Sequence, residues 1–311
     1  MSSSKPKFND LGLETKSHAD GYRALNKDGS FNVSKQNNSF FEGVNIYHSL
    51  VSMRWLHFFG LIILIYFCIN LIFASLYMAV GMEHLTGISG SNTLDKFIEA
   101  FFFSAQTITT LGYGRVAPVG TLANIIAATE SMLGLLTFAL ATGLMYGRFS
   151  KPTATIKYST HAVMAPYKDI NGFMFRVVNP TNNQLVEVEV NVTLSLKNEN
   201  AQTRNFHLLE VERPKVIFFP LMWTVVHPVN KESPIFGFSE TELIEKDAEF
   251  IVMIKAFDES FSQTVYSRSS YKAREIKWGE KFVYLTEQKA NGLTVDIRRI
   301  NETEQKDLNV F

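Results

Sequence analysis

The sequence predicts a membrane protein with two α-helical spans, a re-entrant element between them and an all-β sandwich after them. Three features predict it: two long apolar stretches, a short helix and glycine-containing loop separating them, and a C-terminal half of alternating apolar and polar residues. The chain has 311 residues and a formal net charge of zero, so total charge points to neither nucleic acid nor acidic substrates. Nearly all long apolar runs fall between positions 55 and 147.

Residues 1–42 form a polar N-terminal segment with Lys5, Lys7, Lys16, Arg23, Lys27 and Lys35 scattered through it. It lacks the apolar core and small-residue cleavage site of a removable signal peptide. In GVNIYHSLVSMRW, residues 43–55, Val44, Tyr47, Leu50, Val51 and Trp55 recur at helical spacing, which predicts an amphipathic helix in the membrane interface. The alternative is an N-terminal extension of the first span. Residues 55–82 carry no charge and exceed the roughly 20 residues that a helical span needs. Cys68, inside that run, reads as a buried structural thiol. Asn92 and Asp95 predict the cap of a helix over 93–107, too short to cross a bilayer. Residues 119–147 make the second span, interrupted only by Glu130.

Lys35 and Arg54 precede the first span, whereas Arg148, Lys151 and Lys157 follow the second. The segment connecting the two spans has Lys96 and Arg115 as its only lysine and arginine, so the basic flanks place both termini on the cytoplasmic side. Arg54, Arg148, Lys151 and Lys157 are candidate contacts for anionic lipid headgroups.

Beyond residue 150 the texture changes to short segments rich in Val, Ile, Phe and Tyr. LVEVEVNVTLSL, residues 185–196, alternates throughout and predicts a half-buried strand. PTNNQ, residues 180–184, reads as a hairpin connection, and Ser239 with Glu242 as a capping box opening about two helical turns. The predicted domains are therefore 1–42, a helical membrane unit over 43–150, and a β-sandwich over 151–311.

Between the spans lies Thr110-Leu111-Gly112-Tyr113-Gly114. Irregular backbone at membrane depth must be buried in protein or line an aqueous cavity, because lipid cannot satisfy its polar groups. This segment resembles the potassium-channel filter signature, with Leu111 where valine or isoleucine is more usual. Farther along, Trp223 to Pro228, Ser233 to Phe236, Arg268 to Tyr271 and Glu275 to Gly279 resemble, in order and spacing, the cytoplasmic domain of inward-rectifier potassium channels. The likeness runs over roughly residues 40–290, and the end of the second span is closer to bacterial members.

The resemblance implies a homotetramer with a pore helix, a selectivity filter and an immunoglobulin-like sandwich below the pore. It implies potassium coordination by Thr110, Leu111, Gly112, Tyr113 and Gly114 through rings of carbonyl oxygens, with Tyr113 bracing the loop. It aligns Phe138 with the inner cavity, Tyr146 with the convergence of the inner helices, and Glu187 and Glu259 with acidic positions of the cytoplasmic pore. Glu187 and Glu259 read equally as solvated strand carboxylates. Gly134 and Gly143 are candidate hinges, with close helix packing as the alternative. Glu130, an acid within a span, is expected to brace the filter by hydrogen bonds, with direct ion contact in the cavity as the alternative. Phosphoinositides or other anionic phospholipids are the implied partners, beside three identical subunits.

Gln106 and Val116 stand where many animal members pair a pore-helix Glu with an Arg beyond the filter; here Arg115 comes one place early. Phe138 replaces the cavity Asp of strong rectifiers, so weak rectification is expected. No cofactor is implied other than the permeant potassium ion. No catalytic triad order, nucleophile elbow, phosphate-binding loop or dinucleotide fingerprint is present, which argues against an enzyme. The alternatives are a non-selective cation pore, or a tethered β-sandwich that binds a ligand.

Overall fold

The computed structural model describes residues 22–33, 46–150, 155–198, 203–219, 222–289 and 292–310. These divide into two compact units, one from the described residues within 37–151 and one from those within 1–36 and 152–311.

In the helical unit, α1 covers Ile46–Ser52 and α2 covers Trp55–Val80. Arg54 between them is extended (φ −61°, ψ 145°), so α1 is a separate helix and not an extension of the span. Trp55, expected on the stripe of the first helix, instead opens α2, and Val44 lies outside the described residues. The short helix α3, Thr93–Ile108, has the predicted cap: the Asn92 side chain accepts from the Asp95 amide at 2.8 Å. The second long helix, α4, runs over Thr121–Phe149, and both α2 and α4 are long and apolar enough to cross a membrane.

The buried positions of α2 include Asn70, Phe73, Ala74 and Tyr77, and those of α4 are Ala123, Ala127, Glu130 and Gly134. Each set recurs every three or four residues and so makes one stripe per helix, against which α3 packs Ala100, Phe103, Ser104 and Ile108. Small residues on α4 let the backbones approach. The opposite faces are exposed, and Cys68 is among them, contrary to the expected buried thiol. In a spanning helix the outward face meets lipid or another subunit, so an apolar position need not be buried within its own chain. A two-residue ladder of β1, Leu85–Thr86, and β2, Ala117–Pro118, closes the segment between the spans.

The other unit is a two-sheet sandwich. One sheet contains β3 (Lys157–Tyr158), β4 (Ala162–Tyr167), β5 (Ile170–Val178), and later strand β9 (Met222–Val229) paired to β5. The other contains β6 (Leu185–Lys197), with β7 (Arg204–Leu209) and β8 (Lys215–Phe218) on one side of it. After α5, Glu240–Glu245, come β10 (Glu249–Asp258) and β11 (Gln263–Lys272), which extend that second sheet. Finally β12, Ile276–Trp278, adds to β4 of the first sheet in parallel. Phe173, Phe175 and Val177 of one sheet meet Val190, Phe250 and Val252 of the other, with Phe173 stacked on Phe250 at 4.1 Å. The predicted capping box of α5 forms, with both reciprocal bonds between Ser239 and Glu242.

Two local expectations are corrected. Residues 180–184 are not a hairpin, because β5 and β6 belong to different sheets and the segment crosses between them. β6 alternates only in its first half; from Val192 to Leu196 both faces are buried. It is an interior strand there, and the Ser195 hydroxyl, on the face away from the core of Val192, Leu194 and Leu196, accepts from Arg204 Nε at 2.7 Å.

The N-terminal segment is not wholly separate either. Leu25 is buried in the sandwich unit, and the amides of Ala24 and Leu25 both donate to the buried Glu249 carboxylate (3.0 and 3.2 Å). Arg23 and Lys27 both pair with Glu275. Burial pushes that carboxyl up, but the Lys272 amide and these two cations outweigh it and hold it below the usual range.

Candidate functional site

α3 ends at Ile108 and the chain enters a loop whose φ changes hand at alternate residues: Thr110 58°, Gly112 53° and Gly114 81°, with Leu111 and Tyr113 outside the positive-φ set. In an ordinary strand successive carbonyls point to opposite sides. Reversing the hand at every second residue turns them toward one side, the arrangement a carbonyl-lined ion site requires. Glycine adopts this region freely, whereas a β-branched threonine there stores about 1–3 kcal/mol. The loop is pinned at its start by its own helix: the Leu111 amide donates to the Gln106 carbonyl at 2.8 Å, and the Thr110 amide to Thr107 at 3.0 Å. Leu111 is 54% and Tyr113 75% exposed in the isolated chain, so Tyr113 does not brace the loop from within its own chain.

The loop exit has a different anchor. Arg115 pairs with Glu99 of α3 at 3.3 Å, and Glu99 also accepts from the amide and hydroxyl of Ser89, both at 2.9 Å. Val116 is buried. An ion pair between helix and loop is therefore present, with its carboxylate at Glu99 in the first half of α3, where Gln106 offers none.

Behind α3, Glu130 is fully buried and its carboxyl reaches two helices. One oxygen contacts the Tyr77 hydroxyl at 2.8 Å; the other contacts the Ser104 hydroxyl, which also lies 2.9 Å from Asn70 Oδ1. Glu130 therefore bonds to α2 through Tyr77 and to α3 through Ser104. Tyr77, Ser104 and Asn70 escaped the sequence reading; an Asn within an uncharged span was the available signal.

Gly134, read as either a hinge or a close-packing position, packs closely against α3. A Cβ there would stand 2.1 Å from the Ile108 carbonyl oxygen, and α4 continues through it as an uninterrupted helix. Around Gly143 a Cβ would meet nothing within 4 Å. Phe138 and Tyr146 are each 74% exposed in the isolated chain.

Arg148, expected to contact lipid, is turned inward. Its guanidinium donates to the Leu50 and Met53 carbonyls at the end of α1 and stands 4.5 Å from the ring centroids of both Trp55 and Phe58. The freed carbonyls where α1 breaks and the two ring faces give the cation partners within its own chain. On the same helix end Gly147 admits the Tyr47 hydroxyl, 2.6 Å from where a Cβ would be. Arg54 and Lys157 are exposed, and Lys151 lies outside the described residues.

In the sandwich, Glu187 occupies a bulge of β6 (φ 51°) and is exposed, with Lys215 Nζ at 3.4 Å. Glu259 is exposed just beyond β10. Their neighbouring charges include Glu189, which pairs with Lys215 at 3.5 Å and Lys255 at 3.8 Å.

Residues 156–310 match the inward rectifier potassium channel C-terminal domain, and residues 59–151 match an ion channel family. The inward rectifier potassium channel Kirbac3.1 of Paramagnetospirillum magnetotacticum is 35% identical over 267 residues, covering 84% of this chain and 88% of its own length. The G protein-activated inward rectifier potassium channel 2 of Mus musculus is 28% identical over 309 residues, 90% of this chain and 71% of its own length. The ATP-sensitive inward rectifier potassium channel 8 of Rattus norvegicus is 24% identical over 313 residues, 90% and 73% of the two chains.

Proposed function

The chain belongs to the inward rectifier potassium channel family, and from that premise we propose a passive, potassium-selective pathway formed by four identical copies around one axis. It is an integral membrane protein with two spans and a cytoplasmic C-terminal domain. The carbonyls of Thr110, Leu111, Gly112 and Tyr113, with the Thr110 hydroxyl, replace the water shell of the ion. Below them Phe138 lines the cavity, Tyr146 narrows the exit, and Glu187 and Glu259 face the cytoplasmic vestibule. Both termini are cytoplasmic, and the sandwich gates the inner helices in response to anionic lipid held by Arg54, Lys151 and Lys157. The species conducted is the permeant potassium ion, and conduction itself calls on no cofactor or catalytic group.

One observation carries this reading: φ alternates in hand through Thr110, Gly112 and Gly114, in a loop fed by a helix too short to span. A tethering pair of spans has no use for that backbone. The exposed Leu111, Tyr113, Phe138 and Tyr146 support assembly, since four copies supply the neighbours that one chain lacks.

The test is uptake of labelled rubidium into liposomes loaded with potassium and holding the purified chain. Uptake that excess external potassium suppresses and sodium does not is the expected result. Uptake suppressed equally by both ions marks a non-selective pore. No uptake in any lipid composition, anionic or neutral, points to the tethered binding module.

A further inference from the structure

Four side chains from three helices form a closed cluster behind α3: Asn70 and Tyr77 of α2, Ser104 of α3 and Glu130 of α4. Tyr77 is 1% exposed and the other three 0%, so each polar atom has to find its partner inside the protein. The neutral side chains bring few hydrogens. Tyr77 has one, placed toward Glu130 Oε2 at 2.8 Å. Ser104 has one, yet its oxygen touches two acceptors, Asn70 Oδ1 at 2.9 Å and Glu130 Oε1.

Turning the Asn70 amide does not relieve this. Its nitrogen donates to the Tyr66 carbonyl at 2.7 Å, and the flipped amide would set two carbonyl oxygens against each other. With Oδ1 toward Ser104, the single serine proton satisfies only one neighbour. An ionised Glu130 would then leave either Asn70 Oδ1 or Glu130 Oε1 facing another oxygen with no hydrogen between. It would also leave a buried charge without a cation: α2 is uncharged, and the charged residues of α3, Asp95, Lys96 and Glu99, lie in its first two turns, away from Ser104. Among the described residues Tyr77 is the only other titratable side chain bonded to it, and the other charged residue of α4, Arg148, sits at the far end of that helix on the Leu50 and Met53 carbonyls.

We infer that Glu130 is held as the neutral acid. It donates its own proton to Ser104, which passes a hydrogen bond on to Asn70, while Tyr77 donates to the other carboxyl oxygen. The count then closes, and one continuous chain of bonds ties α4 through α3 to α2. Ser104 lies one turn before Ile108, and Ile108 carries the carbonyl that packs on Gly134. The neutral acid is therefore a positioning residue: it sets the depth and rotation of the helix from which the Thr110 to Gly114 loop hangs. That consequence rests on reading the loop as the ion pathway; the protonation does not.

Infrared spectroscopy of the full chain in lipid at neutral pH separates the two. A protonated-carboxyl band is expected in the wild type, lost in Glu130→Gln and shifted in Ser104→Ala, which removes the acceptor. Glu130→Gln reproduces the neutral acid's bonding, with its amide donating to Ser104, so potassium-selective uptake should stay within twofold of wild type. Ser104→Ala breaks the chain and should lower selectivity at least severalfold. Absence of a band that either substitution alters overturns the proposal. So does loss of selectivity in an assembled Glu130→Gln channel, because that outcome requires the charge. A band that behaves as expected beside wild-type uptake without potassium preference would instead reject the reading of the loop and leave the protonation standing.

Discussion

At Gly112 φ is 53° and a Cβ would meet nothing within 4 Å of the isolated chain. Replacement by alanine therefore strains backbone conformation and collides with nothing in its own subunit. The left-handed region costs an L-residue about 1–2 kcal/mol, enough to let the loop rotate a carbonyl away. Gly112→Ala is expected to assemble normally yet lose preference for potassium in rubidium uptake; full selectivity in that variant would remove Gly112 from the ion pathway. Thr110 is the informative contrast, since a β-branched residue already holds φ at 58° there. Strain persists where the surroundings over-determine it, and the pinned amides of Thr110 and Leu111 supply that restraint.

At the scale of elements, the joint between α1, α2 and α4 depends on the shape of one guanidinium. Arg148 donates to two carbonyls and lies against two rings, and only a planar fork does both. Lysine keeps the charge and loses the fork. If Arg148 served as a lipid cation, Arg148→Lys would behave as wild type in anionic vesicles. As a clamp, Arg148→Lys should resemble Arg148→Ala, with α1 released and Trp55 fluorescence moved toward that of a solvent-exposed indole. Wild-type emission and wild-type lipid response in the lysine variant would return Arg148 to the lipid-contact role. The buried stripes of α2, α3 and α4 are a second joint, in which Tyr77 also meets Phe103 edge to face at 5.1 Å.

At the scale of the whole molecule the proposed fourfold assembly decides the outcome. If its axis runs beside α4, four copies of Phe138 make an apolar ring that offers a polyamine no counter-charge. Block from the cytoplasmic side is then weak and shallow in voltage. Phe138→Asp places four carboxylates near the axis. At roughly 7 Å and an effective dielectric near 20, each attracts an amine by about 2 kcal/mol before desolvation. Like-charge repulsion protonates part of the ring, but the remainder should deepen spermine block at least tenfold in symmetric potassium. Strong block of the wild type, or no gain in the Asp variant, would place Phe138 on the outer surface of α4.

The spans, the capped short helix, the filter-like loop and the β texture are legible in the amino-acid order alone, because each is written in neighbouring residues. Span length, the Asn92 cap and the glycines at 112 and 114 act within a few positions along the chain. The family was legible for the same reason, from motifs of four to six residues. Only tertiary structure decided what segments far apart do together. Leu25 docks on the sandwich through Glu249; residues 180–184 cross between sheets; Gly134 yields space to a carbonyl of α3; Arg148 turns to the end of α1; and Glu99 takes over the cation beside the loop. Periodicity states which face of an element is apolar, but a buried polar group takes whichever partner the packing delivers. That choice depends on three-dimensional approach, which for Glu130, Ser104 and Asn70 spans up to 60 residues of chain.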